Sequence, residues 1–469
     1  MVCKYWGCNN LRDIILLQDE PVAVEKIGEN AFPDDIVTKA TLWVRHMNVD
    51  QYRKHDFWGQ FAEVKTSFFS EDDQIEYMPV STTNMKDYDA VDILAVKCPN
   101  YTLTIPQTAV DGDGNTYKVT MLGDYAFEEC ASGIHEVIVE HRLDYIGARA
   151  FINNIDEGQV RNVFFLSTEP AVEISMQKFA MPKRYNEFSQ KQMVYVKKSA
   201  LDEYKTSWPR LWEQGNLDYR IACDVDIKSQ FATLAREFDI DLGDVDEATG
   251  ERLFWNSDMD CPQVIAFTGL LKNNTSMTGE DAQFKYVRME SINAGGDKNM
   301  DGLYVPKGTG VLLKAVTDDG VLAAYSEATR PDGFYYRIAE DQGACVAPAD
   351  NVMQAVIVNP TTIDPTDGNF VNFYVSDGQL HRFTRTLQMP VHRSYMSLEG
   401  VGEAKVMMVF GEGDDVTAIE TIDNSQNVND TLHDTLRISQ SDVFDLQGRR
   451  VSHPTRGIYV RNGQKIVIK

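Results

Sequence analysis

The feature that most constrains this chain is a hexad used twice at a short interval. Residues 122–127 read Leu-Gly-Asp-Tyr-Ala-Phe and residues 146–151 read Ile-Gly-Ala-Arg-Ala-Phe, so an apolar-Gly-x-x-Ala-Phe pattern returns after 24 residues. A third copy runs from Ile27 to Phe32. Self-similarity at a period of about 20 to 50 residues is the signature of stacked-repeat architectures. Between the two adjacent hexads, Ile134, Val137 and Val139 fit L-x-x-L-x-L, and the fit recurs at Val160, Val163 and Phe165 and at Leu11, Ile14 and Leu16. Alternate residues of a strand share a face. Each copy therefore offers apolar side chains that one repeat alone cannot bury. The hexad reads as the return leg, with Gly for a backbone turn closed to residues carrying a Cβ. Ala126 with Phe127, and Ala150 with Phe151, then point inward as plugs.

A longer duplication accompanies the hexads. The run Trp43 to Lys54 aligns without a gap with Tyr195 to Thr206, an offset of 152 that matches Asp50 with Asp202 and Tyr52 with Tyr204. Upstream, Leu17 to Pro21 answers Leu166 to Pro170. Each copy reads as the last repeat of an array followed by a closing cap with an aromatic lid, Trp58 in one and Trp208 with Trp212 in the other. Stacked arrays need such caps because an open end exposes the core.

These residues resemble the BspA-like leucine-rich-repeat proteins, a bacterial family of secreted or surface-attached proteins whose repeats carry I-G-x-x-A-F and A-F-x-x-C-x-x-L. The second pattern stands at Ala126-Phe127-Glu-Glu-Cys130 with Ile134 following, one residue later than the family spacing, and at Tyr5-Trp-Gly-Cys8-Asn-Asn-Leu11. Cys8 and Cys130 thus occupy equivalent interior positions, where a buried thiol acts as a small apolar residue. Residue 1 falls inside a repeat, and the expectation is that the true start lies upstream. The resemblance implies a bacterial protein at the cell exterior.

The expected fold class is mainly β: a leucine-rich-repeat solenoid of two capped array segments, then an antiparallel β-sandwich-like module and a short C-terminal β-hairpin tail. The divisions are 1–58 for the end and cap of a first array, 59–93 for a connecting segment, and 94–222 for a second array with its cap. The sandwich-like module covers 223–410, where short β-rich runs alternate with Gly, Pro, Asn and Asp. One of these, NFYVSDGQLHRF, places Asp377-Gly378 at a hairpin tip. The module is similar, through T-L-x-R-E-F-D at Thr233–Asp239 and V-P-x-G-T-G-V-L-L-K at Val305–Lys314, to one that follows BspA-like repeats. Residues 411–440 hold seven acidic residues against one Arg and read as a solvated linker. Residues 441–469 reverse the sign, six basic to two acidic, and resemble C-terminal sorting segments of type IX secretion.

The eight histidines make no H-E-x-x-H pair and no Cys-His ligand set, and neither a G-x-S-x-G elbow nor a G-x4-G-K-[ST] loop is present. The chain is read as non-enzymatic. Asp297, Asn299 and Asp301, with Gly302, copy the first half of a calcium loop, but position 12 is Gly308 where the bidentate Glu belongs. Calcium is the one cofactor the sequence suggests. The aspartates at 239, 241, 244 and 246 read as a hydrated strand edge that discourages pairing.

A formal charge of -26 repels phosphate backbones, which excludes a nucleic-acid role without a concentrated basic patch, and no apolar run is long enough for a transmembrane helix. The expected function is extracellular or cell-surface binding or adhesion to a protein partner. Repeat arrays bind through the outward residues of successive strands. Here these are His135, Glu136 and Ile138 in one strand and Arg161, Asn162 and Phe164 in the next, with Ile138 and Phe164 as exposed apolar contacts. Two alternatives stand beside this reading. One is glycan binding by the 223–410 module through Trp255, Tyr304, Tyr335 and Tyr336, and the other is an accessory role in a larger secreted hydrolase.

Overall fold

The computed structural model describes residues 11–21, 23, 32, 35–81, 88–128, 130, 134–151, 160–174, 192–222, 231–245, 252–253, 263–272, 284–292, 303–316, 335–343, 346–376, 379–402, 404–410, 418–421, 443–444, 457–461 and 464–468. The molecule is mainly β. From residue 90 to 196 successive strands alternate between two sheets, and a last strand at 217–218 joins the front one. The front sheet holds Thr102–Ile105, Glu136–Val139, Asn162–Phe165, Met193–Val196 and Leu217–Asp218, all parallel and in register. The rear sheet holds Ala90–Val96, Thr116–Leu122, Tyr145–Ile146 and Glu173–Ile174, also parallel. Period-two alternation sends Val137, Val139, Val163, Phe165, Val194 and Val196 inward to a common core with Phe127 and Phe151. Those two rings lie 5.5 Å apart, one repeat above the next.

The hexad glycines are needed for a different reason from the one the sequence suggests. The left-handed backbone falls two residues after each Gly, on Tyr125 (φ 59°) and Arg149 (φ 52°). The glycines instead allow successive turns to touch. A Cβ on Gly147 would stand 2.1 Å from backbone atoms of Gly123 and Asp124, and one on Gly123 would stand 2.9 Å from the Ile93 carbonyl. Backbone bonds tie the turns together there: Gly123 N to Ile93 O (2.9 Å), Tyr125 N to Ala148 O (2.9 Å) and Phe127 N to Ala150 O (3.0 Å).

Upstream, Asp13–Leu16, Thr41–Val44 and Glu63–Thr66 form a separate parallel sheet over a core containing Leu42, Val44, Tyr52 and Trp58. The duplication is visible atom by atom. Tyr52 donates its hydroxyl to the carbonyls of Gln18 and Glu20, and Tyr204 donates to those of Ser167 and Glu169. Trp58 and Trp208 are both fully buried, whereas Trp212 is half-exposed with the Lys205 ammonium over its ring. The strands Phe68–Phe69 and Ile75–Val80 continue the rear sheet as an antiparallel edge, so Ile75 and Tyr77 close the start of the second core. Arg45 reaches Glu76, which is inaccessible to solvent, at 2.6 Å and joins the two parallel stacks.

Beyond residue 222 a six-stranded sheet runs in the order Phe231–Leu234, Val311–Val316, Gln263–Lys272, Phe284–Ser291, Lys405–Phe410, Ala418–Thr421. Its pairings are antiparallel except one, since Phe284–Ser291 and Lys405–Phe410 run parallel. Phe231, Phe267, Leu312, Met408 and Phe410 pack from this sheet against Val371, Phe373, Met396 and Leu398 of a second sheet, which makes a sandwich. Within the second sheet Phe370–Ser376 pairs with Gln379–Arg382 as a hairpin. Near the C-terminus Gly457–Arg461 and Gln464–Ile468 pair antiparallel.

Candidate functional site at the junction of stack and sandwich

The front sheet presents Thr104, Ile138, Phe164 and Tyr195 in one outward row, because they share register. That row is covered by the chain itself. Ala232, Leu234, Val264, Ala266, Val311 and Leu313 point away from the sandwich interior and join Ile138, Phe164 and Tyr195 in one core with Phe238, Ile240, Val305, Tyr336 and Ile338. Phe164 stacks on Tyr195 at 5.3 Å and meets Phe238 at 5.0 Å. Ring pairs in this range add to what burial alone contributes.

Charge is built into the same junction. Glu136 and Arg236 form an ion pair at 2.7 Å with both side chains buried, and the Arg236 guanidinium lies 4.9 Å from the rings of Phe164 and of Phe238. Asn162 donates to Glu136 at 3.0 Å. His392 Nε2 stands 3.3 Å from Glu136 and 3.8 Å from Glu237. Burial alone would raise the Glu136 carboxyl, but Arg236 and His392 beside it hold it well below the usual carboxylate range. Burial likewise opposes the charge on Arg236, and Glu136, Tyr336 and Glu237 more than offset it, so its affinity for the proton is raised. Further contacts span the width of the stack. Thr102 N donates to Val358 O, Lys197 Nζ to Glu340 O at 2.6 Å, and Ser199 through its amide and hydroxyl to the Glu340 carboxylate.

The six residues named from sequence separate here. Arg161 is exposed, while His135 and Asn162 are half-buried. Burial and the neighbouring Arg161 push the His135 imidazole down to about 4. Glu136, Ile138 and Phe164 are corrected: 5%, 0% and 0% exposed respectively, they are not on a free face, because the sandwich lies over them. The aspartate reading changes as well. Asp239 is buried and accepts from Tyr304 Oη, Lys307 N and Gly343 N, and Asp241 is buried against Arg337 at 2.8 Å. Far from discouraging pairing, Ile240–Asp241 pairs on both sides. Arg236, Glu237, Glu340 and His392 were not singled out from sequence. The first two lie within T-L-x-R-E-F-D, the available signal, and Glu340 and His392 carried none.

The calcium loop at Asp297, Asn299 and Asp301 lies outside the described residues, as does Cys8. Among the described residues no group of three or more His, Cys, Asp or Glu is placed to hold a metal ion, and no helix is long and apolar enough to cross a membrane. Cys130 is buried and donates to the Cys98 carbonyl at 3.4 Å, and burial pushes its thiol up to about 12, as suits a packing residue.

No protein-family model matches the chain, and no curated protein matches it. Among solved structures, a leucine-rich cell surface protein from Faecalibacterium prausnitzii A2-165 is similar over 23% of this chain and 25% of its own, with 17% identity and a TM-score of 0.18.

Proposed function

We propose that the chain is a non-enzymatic binding or adhesion protein of the bacterial exterior, built on a BspA-like leucine-rich-repeat solenoid and recognising a protein partner. The observation that carries the reading is the stack itself: in-register parallel strands at 136, 162 and 193 over the Phe127–Phe151 pair. Such stacks offer long surfaces and need no catalytic group to be useful. Because the sandwich covers Ile138 and Phe164, recognition belongs to the N-terminal ends of the front-sheet strands, where Arg161 is exposed beside half-buried His135. The glycan alternative is less well supported, since Tyr304 and Tyr336 are buried and Tyr304 gives its hydroxyl to Asp239.

The test immobilises the full-length chain and presents a panel of purified secreted and matrix proteins beside a glycan array. Saturable binding of a panel protein that weakens about tenfold or more with Arg161→Glu supports the reading. Binding to glycans alone transfers the function to the alternative, and protein binding indifferent to Arg161→Glu removes the strand ends from consideration.

A further inference from the structure

The cap of the second stack carries a preformed cleft whose charge is not balanced from within. An open cleft of about 580 Å³ lies between the turn that leaves Asn162–Phe165 and the cap helix Leu201–Ser207, within the roughly 300–1,000 Å³ of small-ligand sites. Its walls are fastened to each other. Tyr204 on the helix donates its hydroxyl to the carbonyls of Ser167 and Glu169, and within the turn Ser167 Oγ donates to the Glu169 carbonyl and accepts from the Glu169 amide. The chain leading into the helix is held from the sandwich side, Lys197 by the Glu340 carbonyl and Ser199 by the Glu340 carboxylate. A ligand therefore meets a surface that needs little ordering on binding.

Two groups in the cleft have no counterpart. Glu203 lines it, is exposed and makes no ion pair among the described residues. Arg142, the cation in the lining, is committed to Glu169 at 2.6 Å, and the one cation of the helix, Lys205, pairs with Asp202 at 3.2 Å and lies over the Trp212 ring. The second group is Val172, a branched apolar side chain 68% exposed in the cleft wall. A carboxylate and apolar surface in one cleft fit a side chain with an apolar stem and a cationic head, the form of Lys and Arg. The first cap keeps the same fastening through Tyr52, but has Gln51 where Glu203 stands and Met47 where Ser199 stands. The scaffold is repeated and the acidic lining is not.

We propose that this cleft is a further recognition site, which takes a lysine or arginine side chain of a protein partner with the stem against Val172 and the charged head at Glu203. The cleft lies past the C-terminal end of Asn162–Phe165, whereas Arg161 precedes that strand, so this site stands or falls apart from the one at the strand starts.

The test is methyl NMR of the full-length chain, reading Ala171, Val172 and Ala200 in the cleft wall. The probe is a short blocked peptide with one central lysine between valines, titrated at about 0.15 M salt to screen distant charges. Saturable shifts of these methyls are expected, with binding at least about threefold weaker when norleucine or glutamate replaces the lysine, the scale of one partly exposed ion pair. Glu203→Gln should weaken the lysine peptide by a similar factor. Glu213→Gln, which removes an equal charge from an exposed position on the next helix outside the cleft, should leave it unchanged. Absence of saturable shifts overturns the site. So does equal binding of the norleucine or glutamate peptide, and so does equal weakening by Glu203→Gln and Glu213→Gln, which would trace the attraction to the diffuse field of an acidic chain and not to the cleft.

Discussion

At the scale of single residues, Gly147 states a constraint that composition cannot. A methyl group there would stand 2.1 Å from backbone atoms of the turn below, and backbone has no flexible end to move aside. Gly147→Ala is therefore expected to cost about 3 kcal/mol or more, comparable to the roughly 3–5 kcal/mol expected for Phe151→Ala, which leaves a cavity in the same layer. Denaturant titration of the variants measures both. Asp92 gives a prediction of different sign. Burial and the nearby Asp124 push its carboxyl up to about 7, and its Oδ1 has no hydrogen-bond partner. A carboxyl raised in the folded state binds more protons than in the unfolded chain between about pH 4 and pH 7, so stability falls as pH rises through that window. Asp92→Asn should stabilise the protein at about pH 8, by on the order of 1–3 kcal/mol after discounting for partial exposure, and give no gain near pH 4. The hexad is plain in the sequence, yet its Gly reads there as a backbone turn closed to residues with a Cβ, because a sequence names the residue and not which of its two freedoms is in use.

At the scale of elements, the segment Thr233–Asp239 links chemistry from distant parts of the chain. Leu234 and Phe238 are apolar contacts, Arg236 neutralises Glu136, and Asp239 binds Tyr304 and two backbone amides. Truncating Arg236 to Ala strands Glu136 in a buried site, with an expected loss of about 3–5 kcal/mol. Replacing the pair together, Glu136→Leu with Arg236→Met, should recover most of that loss, since apolar groups of similar volume carry no desolvation penalty. A double-mutant cycle by denaturant titration separates the two outcomes, and it fails the argument if the double variant is as unstable as Arg236→Ala. The aspartate run shows why such contacts are hard to read in advance. Four aspartates within eight residues look like a solvated edge, and the groups that overturn this, Arg337 and Tyr304, lie more than sixty residues away. Local repetition was legible in these elements, as the Tyr52 and Tyr204 hydroxyls show by capping equivalent carbonyls. Partners at long range leave no periodic trace.

At the scale of the molecule, the same division explains which surface the sequence misjudged. A repeat strand shows which residues point out, and Ile138 and Phe164 do point out of the front sheet. What meets them is decided by a sheet whose strands begin at residue 231, and no pattern inside the repeat refers to it. The consequence is measurable. If Ile138, Phe164 and Tyr195 belong to a core shared with Leu234, Phe238 and Ile338, then stack and sandwich depend on each other for a large part of their burial, and calorimetry should find them unfolding in one transition. Introducing a charge with Phe164→Asp places an anion beside Glu136 in a buried site, so the two parts should separate into two transitions, with the sandwich or the stack losing several degrees in Tm. Arg161→Glu changes an exposed side chain just before the same strand and should leave a single transition near its original Tm, within about the ±0.5 kcal/mol typical of surface positions. Were the outward row free for an external ligand instead, Phe164→Asp would behave like Arg161→Glu. The contrast between Phe164 and the exposed Arg161 just before its strand, one intolerant and one tolerant, therefore decides whether this protein occupies its own recognition face.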